Sequence, residues 1–168
     1  MTSLKGHLLT AAPGLLAPMF ARSVVLLLDQ DESRAMGVIL NVPTGTSMTH
    51  LAGKLFEDGF AWDKPLHLGG PIAGPLIVLH EIEGLADQEV VPGVYDTLDA
   101  VKAQEVASHE AEPSLVLANH AAWGPGYLES EIASGGWHTL PATAGDVFHR
   151  AGEELWKVHP SGRMPGSS

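Results

Sequence analysis

Four short stretches of this chain are apolar at consecutive positions: Val24 to Leu28, Gly37 to Leu40, Leu76 to Leu79 and Leu115 to Ala118. Successive strand residues point to opposite faces, so a strand covered on one face alternates apolar and polar residues. A strand covered on both faces reads as an unbroken apolar run. The four runs therefore predict central strands of a sheet buried on both sides. Three shorter or mixed stretches, His7 to Ala12, Leu66 to Leu68 and Trp137 to Leu140, suit peripheral strands. Between the first two runs, the polar segment Asp29-Gln30-Asp31-Glu32-Ser33-Arg34 is short enough to close an antiparallel hairpin.

Helical signals are fewer. Met48, Leu51, Ala52, Leu55 and Phe56 form an apolar stripe at helical spacing, with Ser47 placed to cap it. Thr97 to His109 reads as a second helix, capped by Thr97, with Leu98, Val101 and Val106 inward. A third follows Trp123-Gly124-Pro125-Gly126, with Leu128 and Ile132 one turn apart. In the fourth, Thr143 and Asp146 have the spacing of a capping box, and Val147, Phe148, Ala151 and Leu155 form the inner face. Pro160 to Ser168 reads as a disordered tail. With 168 residues and neither a repeat nor a linker, the chain is expected to form one α/β domain of the α+β type over residues 1–159, followed by that tail.

Composition narrows the chemistry. The absence of cysteine excludes disulfides, thiolate metal ligands and a thiol nucleophile. Nine basic against 20 acidic residues give a net charge of −11 with histidine neutral. No basic cluster interrupts that field, which disfavours nucleic acid as a partner. Leu8 to Leu28 is apolar, but Pro13, Gly14, Pro18 and Arg22 break it well short of the ~20 residues a spanning helix needs. The expectation is a cytoplasmic protein with no membrane contact.

Specific catalytic signals are missing. None of the nine histidines has metal-ligand spacing, so no metal site is expected, and the Gly-x-Ser-x-Gly nucleophile turn is absent. Glu129 and Glu131 are two residues apart on a predicted helix, so their side chains diverge by ~200° and cannot share a substrate. Two glycine loops remain, Gly69-Gly70-Pro71 and Gly124-Pro125-Gly126. Neither matches a nucleotide-binding fingerprint. Backbone N–H groups at a helix start can receive an anion; alternatively, glycine only supplies unusual backbone angles and proline the first helical turn.

The order and spacing of several blocks resemble the AlgH-like family. They are Leu4 to Pro13, Phe20 to Val25, Gly37 to Thr44, Gly69 to Pro71, Trp123-Gly124-Pro125-Gly126-Tyr127-Leu128-Glu129 with Glu131, then Trp137, Asp146, Phe148 and Trp156. The resemblance implies a mixed, bifurcated sheet curled into a pseudo-barrel with flanking helices. It also implies a proposed regulatory role in alginate synthesis, sometimes described as transcriptional. It supplies neither catalytic residues nor a cofactor. Three positions depart from the family's usual pattern. Val42 replaces the arginine of its Asn-x-Pro block, Asn119-His120-Ala121-Ala122-Trp123 replaces Gly-Tyr-Ala-Gly-Trp, and Tyr127 stands where glutamine is common. The expectation is a non-enzymatic binding or regulatory module for a small ligand or a protein partner. Its candidate site is Gly69, Gly70, Pro71, His120, Trp123, Gly124, Pro125, Gly126 and Glu129. The alternatives are a DNA-binding regulator, disfavoured by charge, and a hydrolase-type enzyme using His120 or His80 as base.

Overall fold

All four apolar runs are strands, and each lies inside a sheet rather than at its edge. The computed structural model describes residues 3–13, 20, 22–47, 65–108 and 113–148. The first sheet has the order β10 (Ala121–Trp123), β3 (Ala35–Ile39), β2 (Val24–Gln30), β1 (His7–Ala11), β11 (Trp137–Pro141), every pair antiparallel. The second has the order β4 (Pro43–Ser47), β5 (Pro65–Leu68), β9 (Ser114–Ala118), β6 (Ile77–His80), β8 (Val94–Thr97), β7 (Gln88–Val91). In it, β5 and β9 run parallel and the other pairs antiparallel. The described helices are α1 (Ala100–Ser108), α2 (Tyr127–Ala133) and α3 (Ala144–Phe148), with a 3₁₀ turn at Glu83–Leu85. None is long and apolar enough to cross a membrane. The described residues form a mixed α/β single domain with two sheets and few helices.

The apolar runs have a direct physical cause. Leu26 and Leu28 of β2 pack with Val38, Ile77, Leu79 and Leu117 in a core shared by the two sheets. Val25 and Leu27, pointing the other way, pack with Ile39, Trp123, Leu128 and Trp137 on the outer face of the first sheet. The second sheet repeats this arrangement: Val78 and Val116 turn away from the shared core toward Ala103 and Val106 of α1. Both sheets are thus covered on both faces. Val147 of α3 closes the shared core, joined by half-buried Phe148.

Several expectations need correction. The expected pseudo-barrel is a loose description of an open arrangement: among the described strands each sheet keeps two edge strands. Backbone bonds instead join the sheets where the chain leaves β3: Ile39 N–H donates to Gly69 O at 2.8 Å and Leu68 N–H to Val42 O at 2.7 Å. β1 is an interior strand, buried at four of its five residues, because β11 pairs along its outer side. β5 too is paired on both sides, leaving β11 the one true edge of the three strands expected to be peripheral. Thr97 ends β8 and does not cap a helix; Asp99 Oδ1 accepts the Lys102 N–H at 3.0 Å in that role. Val101 is 65% exposed rather than inward. Ser47 ends β4. The Met48–Phe56 stripe, Ala151, Leu155 and the tail from Pro160 lie outside the described residues.

The Asp29–Arg34 hairpin forms as expected. Asp31 Oδ1 accepts the Ser33 and Arg34 N–H groups at 2.8 and 3.0 Å. The hydrogen bonds around Asp31, led by the Ser33 hydroxyl, hold its carboxyl below the usual range. The capping box is also present: Thr143 Oγ1 accepts the Asp146 N–H at 3.2 Å, and Asp146 Oδ2 accepts the Thr143 N–H at 3.1 Å.

Candidate functional site

The two glycine loops meet at the backbone. Ile72, just beyond Gly69–Pro71, exchanges two hydrogen bonds with His120, N–H to O at 2.9 and 3.0 Å. The approach is so close that a Cβ on Gly70 would stand 2.2 Å from the His120 carbonyl carbon and oxygen, and one on Gly69 would stand 2.4 Å from Asn119 O. Side-chain-free residues are needed there for contact between main chains. Asn119 itself takes a left-handed φ of 66°. The tight crossing brings Pro71 to the side of β10, and Pro71 then lines a cleft of about 570 Å³ together with Trp123 and Gly124.

The opposite wall comes from the far edge of the same sheet. In a flat five-stranded sheet the outer strands would be ~19 Å apart. Here Trp123 of edge strand β10 and Trp137 of edge strand β11 have ring centroids 6.3 Å apart, with planes at 85°. The first sheet therefore curls over its outer core, and α2 fills the opening between its edges. Phe20 packs edge-on to Trp137 at 5.8 Å and tilted against Trp123 at 6.4 Å. Tyr127, at the start of α2, is 67% exposed and lines the cleft beside Gly124.

Glu131 ties the curled edges together. Its Oε1 accepts both indole N–H groups, from Trp123 at 3.2 Å and from Trp137 at 2.8 Å. Glu131 lines the cleft, with no lysine or arginine among the other described lining residues. Glu129 points elsewhere, as the spacing argument requires: it accepts from Gln30 Nε2 at 3.3 Å and does not line the cleft. Gln30 Oε1 in turn accepts the Leu4 N–H at 2.6 Å, so Glu129 helps hold the start of β1.

The remaining candidates have supporting positions. Gly126 opens α2 in a left-handed conformation, φ 76°, without a side-chain cap. Neither Gly126 nor exposed Pro125 lines the cleft, and Gly69, Gly70 and His120 contribute through their backbones. The His120 ring rests by Gly74, and its Nδ1 is buried without a hydrogen-bond partner. Burial, reinforced by Arg34, lowers its pKa. His80 is wholly buried and spoken for: Nδ1 accepts the Ile82 N–H at 3.0 Å, which leaves Nε2–H to donate to Thr97 Oγ1 at 2.6 Å. That hydroxyl donates to Leu85 O at 2.6 Å. Burial holds His80 below the usual imidazole value, with Asp87 acting the other way. Among the described residues no group of three or more potential ligands could hold a metal ion.

The sequence reading missed Phe20, Tyr127, Glu131 and Trp137 as cleft residues. Their convergence depends on how far the sheet curls, which no local spacing encodes. The chain is similar to several known proteins. The AlgH-like family matches residues 8–161. A UPF0301 protein of Streptomyces avermitilis is 32% identical, covering 94% of this chain and 85% of its own. Another, from Chromobacterium violaceum, is 35% identical over 92% and 87%. The solution structure of the AlgH protein from Pseudomonas aeruginosa superposes with a TM-score of 0.78 at 28% identity, covering 94% of this chain and 89% of that one. A Corynebacterium diphtheriae protein shares the fold at a TM-score of 0.76 and 23% identity, over 98% and 90%.

Proposed function

This chain belongs to the AlgH-like family, and on that premise we propose that it is a non-enzymatic binding module. Its cleft takes a small ligand between the Gly69–Pro71 loop and the two edges of the curled sheet. The carrying observation is the construction of the cleft. Glycines without room for a Cβ bring Pro71 into place, and one carboxylate clamps two tryptophans across the opening. An aromatic cavity with a single ordered charge is how small-ligand sites are generally made. A regulatory role follows if occupancy alters the surface that α2 and this loop offer to a protein partner.

The chemistry present favours binding over turnover. The two histidines weighed as bases do not line the cleft, and His80 has both ring nitrogens engaged. Ser134, the serine of the lining, donates to Glu131 O at 3.0 Å. The net charge of −11 argues against DNA as the partner. The test is a metabolite screen followed by backbone amide NMR. Shifts clustered at Ile72, Gly124, Tyr127 and Gly136, with the ligand recovered unchanged, are expected. An absence of shifts at all four, across a chemically broad set, removes the proposal, and conversion of the ligand removes its non-enzymatic part.

A further inference from the structure

We infer that the ligand of this cleft is a small organic cation carrying a fully alkylated ammonium group. The inference rests on the binding reading above and gives it a substrate class. Aromatic faces attract cations through the negative charge above the ring, most strongly for tryptophan, and this is the usual way quaternary ammonium groups are recognised. Here exposed Tyr127 and half-buried Phe20 supply the open ring surface, beside the largely buried Trp123 and Trp137 that also line the cleft. Among the described lining residues Glu131 supplies the one formal charge, and its Oε2 has no partner among the described residues. The chain's net charge of −11 adds a field of the same sign.

The hydrogen-bond inventory selects among cations. Carbonyl acceptors around the cleft are already engaged: Gly124 O by the Tyr127 N–H at 3.2 Å, Gly136 O by the Ala12 N–H at 2.9 Å, and Glu131 O by the Gly136 N–H at 2.9 Å. Glu131 Oε1 carries two indole N–H bonds. A guanidinium has five N–H donors and a primary ammonium three; in this cleft most would face rings or engaged oxygens. Donors stripped of water without a partner weaken binding. A tetraalkylammonium has no N–H to satisfy. It needs only ring faces and a nearby negative charge.

The test titrates the full chain with tetramethylammonium, choline, guanidinium and 3,3-dimethylbutanol, the uncharged carbon isostere of choline. The readout is the Nε1–H NMR signals of Trp123 and Trp137. Choline and tetramethylammonium are expected to shift both signals and to bind about tenfold more tightly than the isostere or guanidinium. Glu131→Gln keeps an acceptor oxygen for the indoles and removes the charge, so it should weaken choline about tenfold and leave the isostere unchanged. Tyr127→Leu, at an exposed position, should weaken choline severalfold without changing the unfolding midpoint. Equal binding of choline and its isostere, or an unchanged choline affinity in Glu131→Gln, overturns the cation assignment and leaves the binding module standing. Silence from all four probes overturns the cation assignment; silence from the broader metabolite screen as well ends the binding reading.

Discussion

Gly70 shows how much one residue can decide. Its backbone rests on the His120 carbonyl with no space for a methyl group, and the atoms it would strike are main-chain atoms of His120, bridged to Ile72, and of Ala121 in β10. Gly70→Ala should therefore cost about 3 kcal/mol, in the range of overpacked sites whose neighbours cannot yield. Urea unfolding checks this. Gly84→Ala is the control: no atom lies within 4 Å of the added Cβ, and its effect should stay within about 0.5 kcal/mol. The glycine pair was legible in the sequence as a loop signal. Its purpose was not, because the contact is with a residue 50 positions away in the chain. Glu131 was illegible as a clamp for a related reason: its two partners stand eight residues before it and six after it, on opposite edges of a sheet.

Asp96 is the residue whose charge the fold tolerates least. It is 1% exposed, Oδ2 accepts from Gln88 at 2.8 Å, and Oδ1 has no hydrogen-bond partner. Burial raises its pKa above the ordinary carboxyl value, with the Gln88 hydrogen bond opposing. A raised pKa means that the folded chain holds the proton more tightly than the unfolded one. The stability it contributes is present at acid pH and is lost as pH rises through the raised value. Asp96→Asn keeps an oxygen for Gln88 and removes the charge. Its thermal midpoint should exceed that of the parent by about 3 °C near neutral pH, with the difference shrinking toward pH ~4. A difference independent of pH would show that packing rather than charge sets the effect.

At the scale of elements, the sequence was clearest where a local pattern had one physical meaning. Unbroken apolar runs became interior strands because each sheet is covered twice, and the Thr143/Asp146 pair became a reciprocal cap. Thr143→Ala removes the acceptor for the Asp146 N–H and should cost ~1 kcal/mol, the usual worth of such a cap. Chemical denaturation measures it, and a loss under ~0.3 kcal/mol would mean that tertiary packing alone holds α3. Misreadings arose where two patterns overlapped. Thr97 precedes an acidic residue and an apolar one, as a cap would, but its hydroxyl is used between His80 and Leu85. The short hairpin of β7 and β8 around Pro92-Gly93 is not legible in the sequence, because four-residue strands leave too little alternation to read.

For the whole molecule, the governing fact is one core between two sheets, since Leu26 and Leu79 belong to the same cluster. Neither sheet can open alone without exposing apolar surface of the other, so a charge change in either should be felt by the entire fold. His67 and His80 lie on the second sheet, and His120 adjoins the first. All three are pushed by burial below the usual imidazole value of 6.5. A lowered histidine pKa contributes stability above that value, lost as pH falls through the folded-state value, because the unfolded chain takes up the proton first. The thermal midpoint should therefore decline as pH is lowered from about 7 to 5. His80 should keep the ¹⁵N pattern of a neutral Nε2–H ring throughout the folded limb. Asp96 works against this decline, since its own contribution returns as the solution becomes acid. Asp96→Asn removes that opposition and should make the acid limb steeper than in the parent chain. If the midpoint of Asp96→Asn, where that opposition is gone, is flat across this window, the burial argument fails for all three histidines.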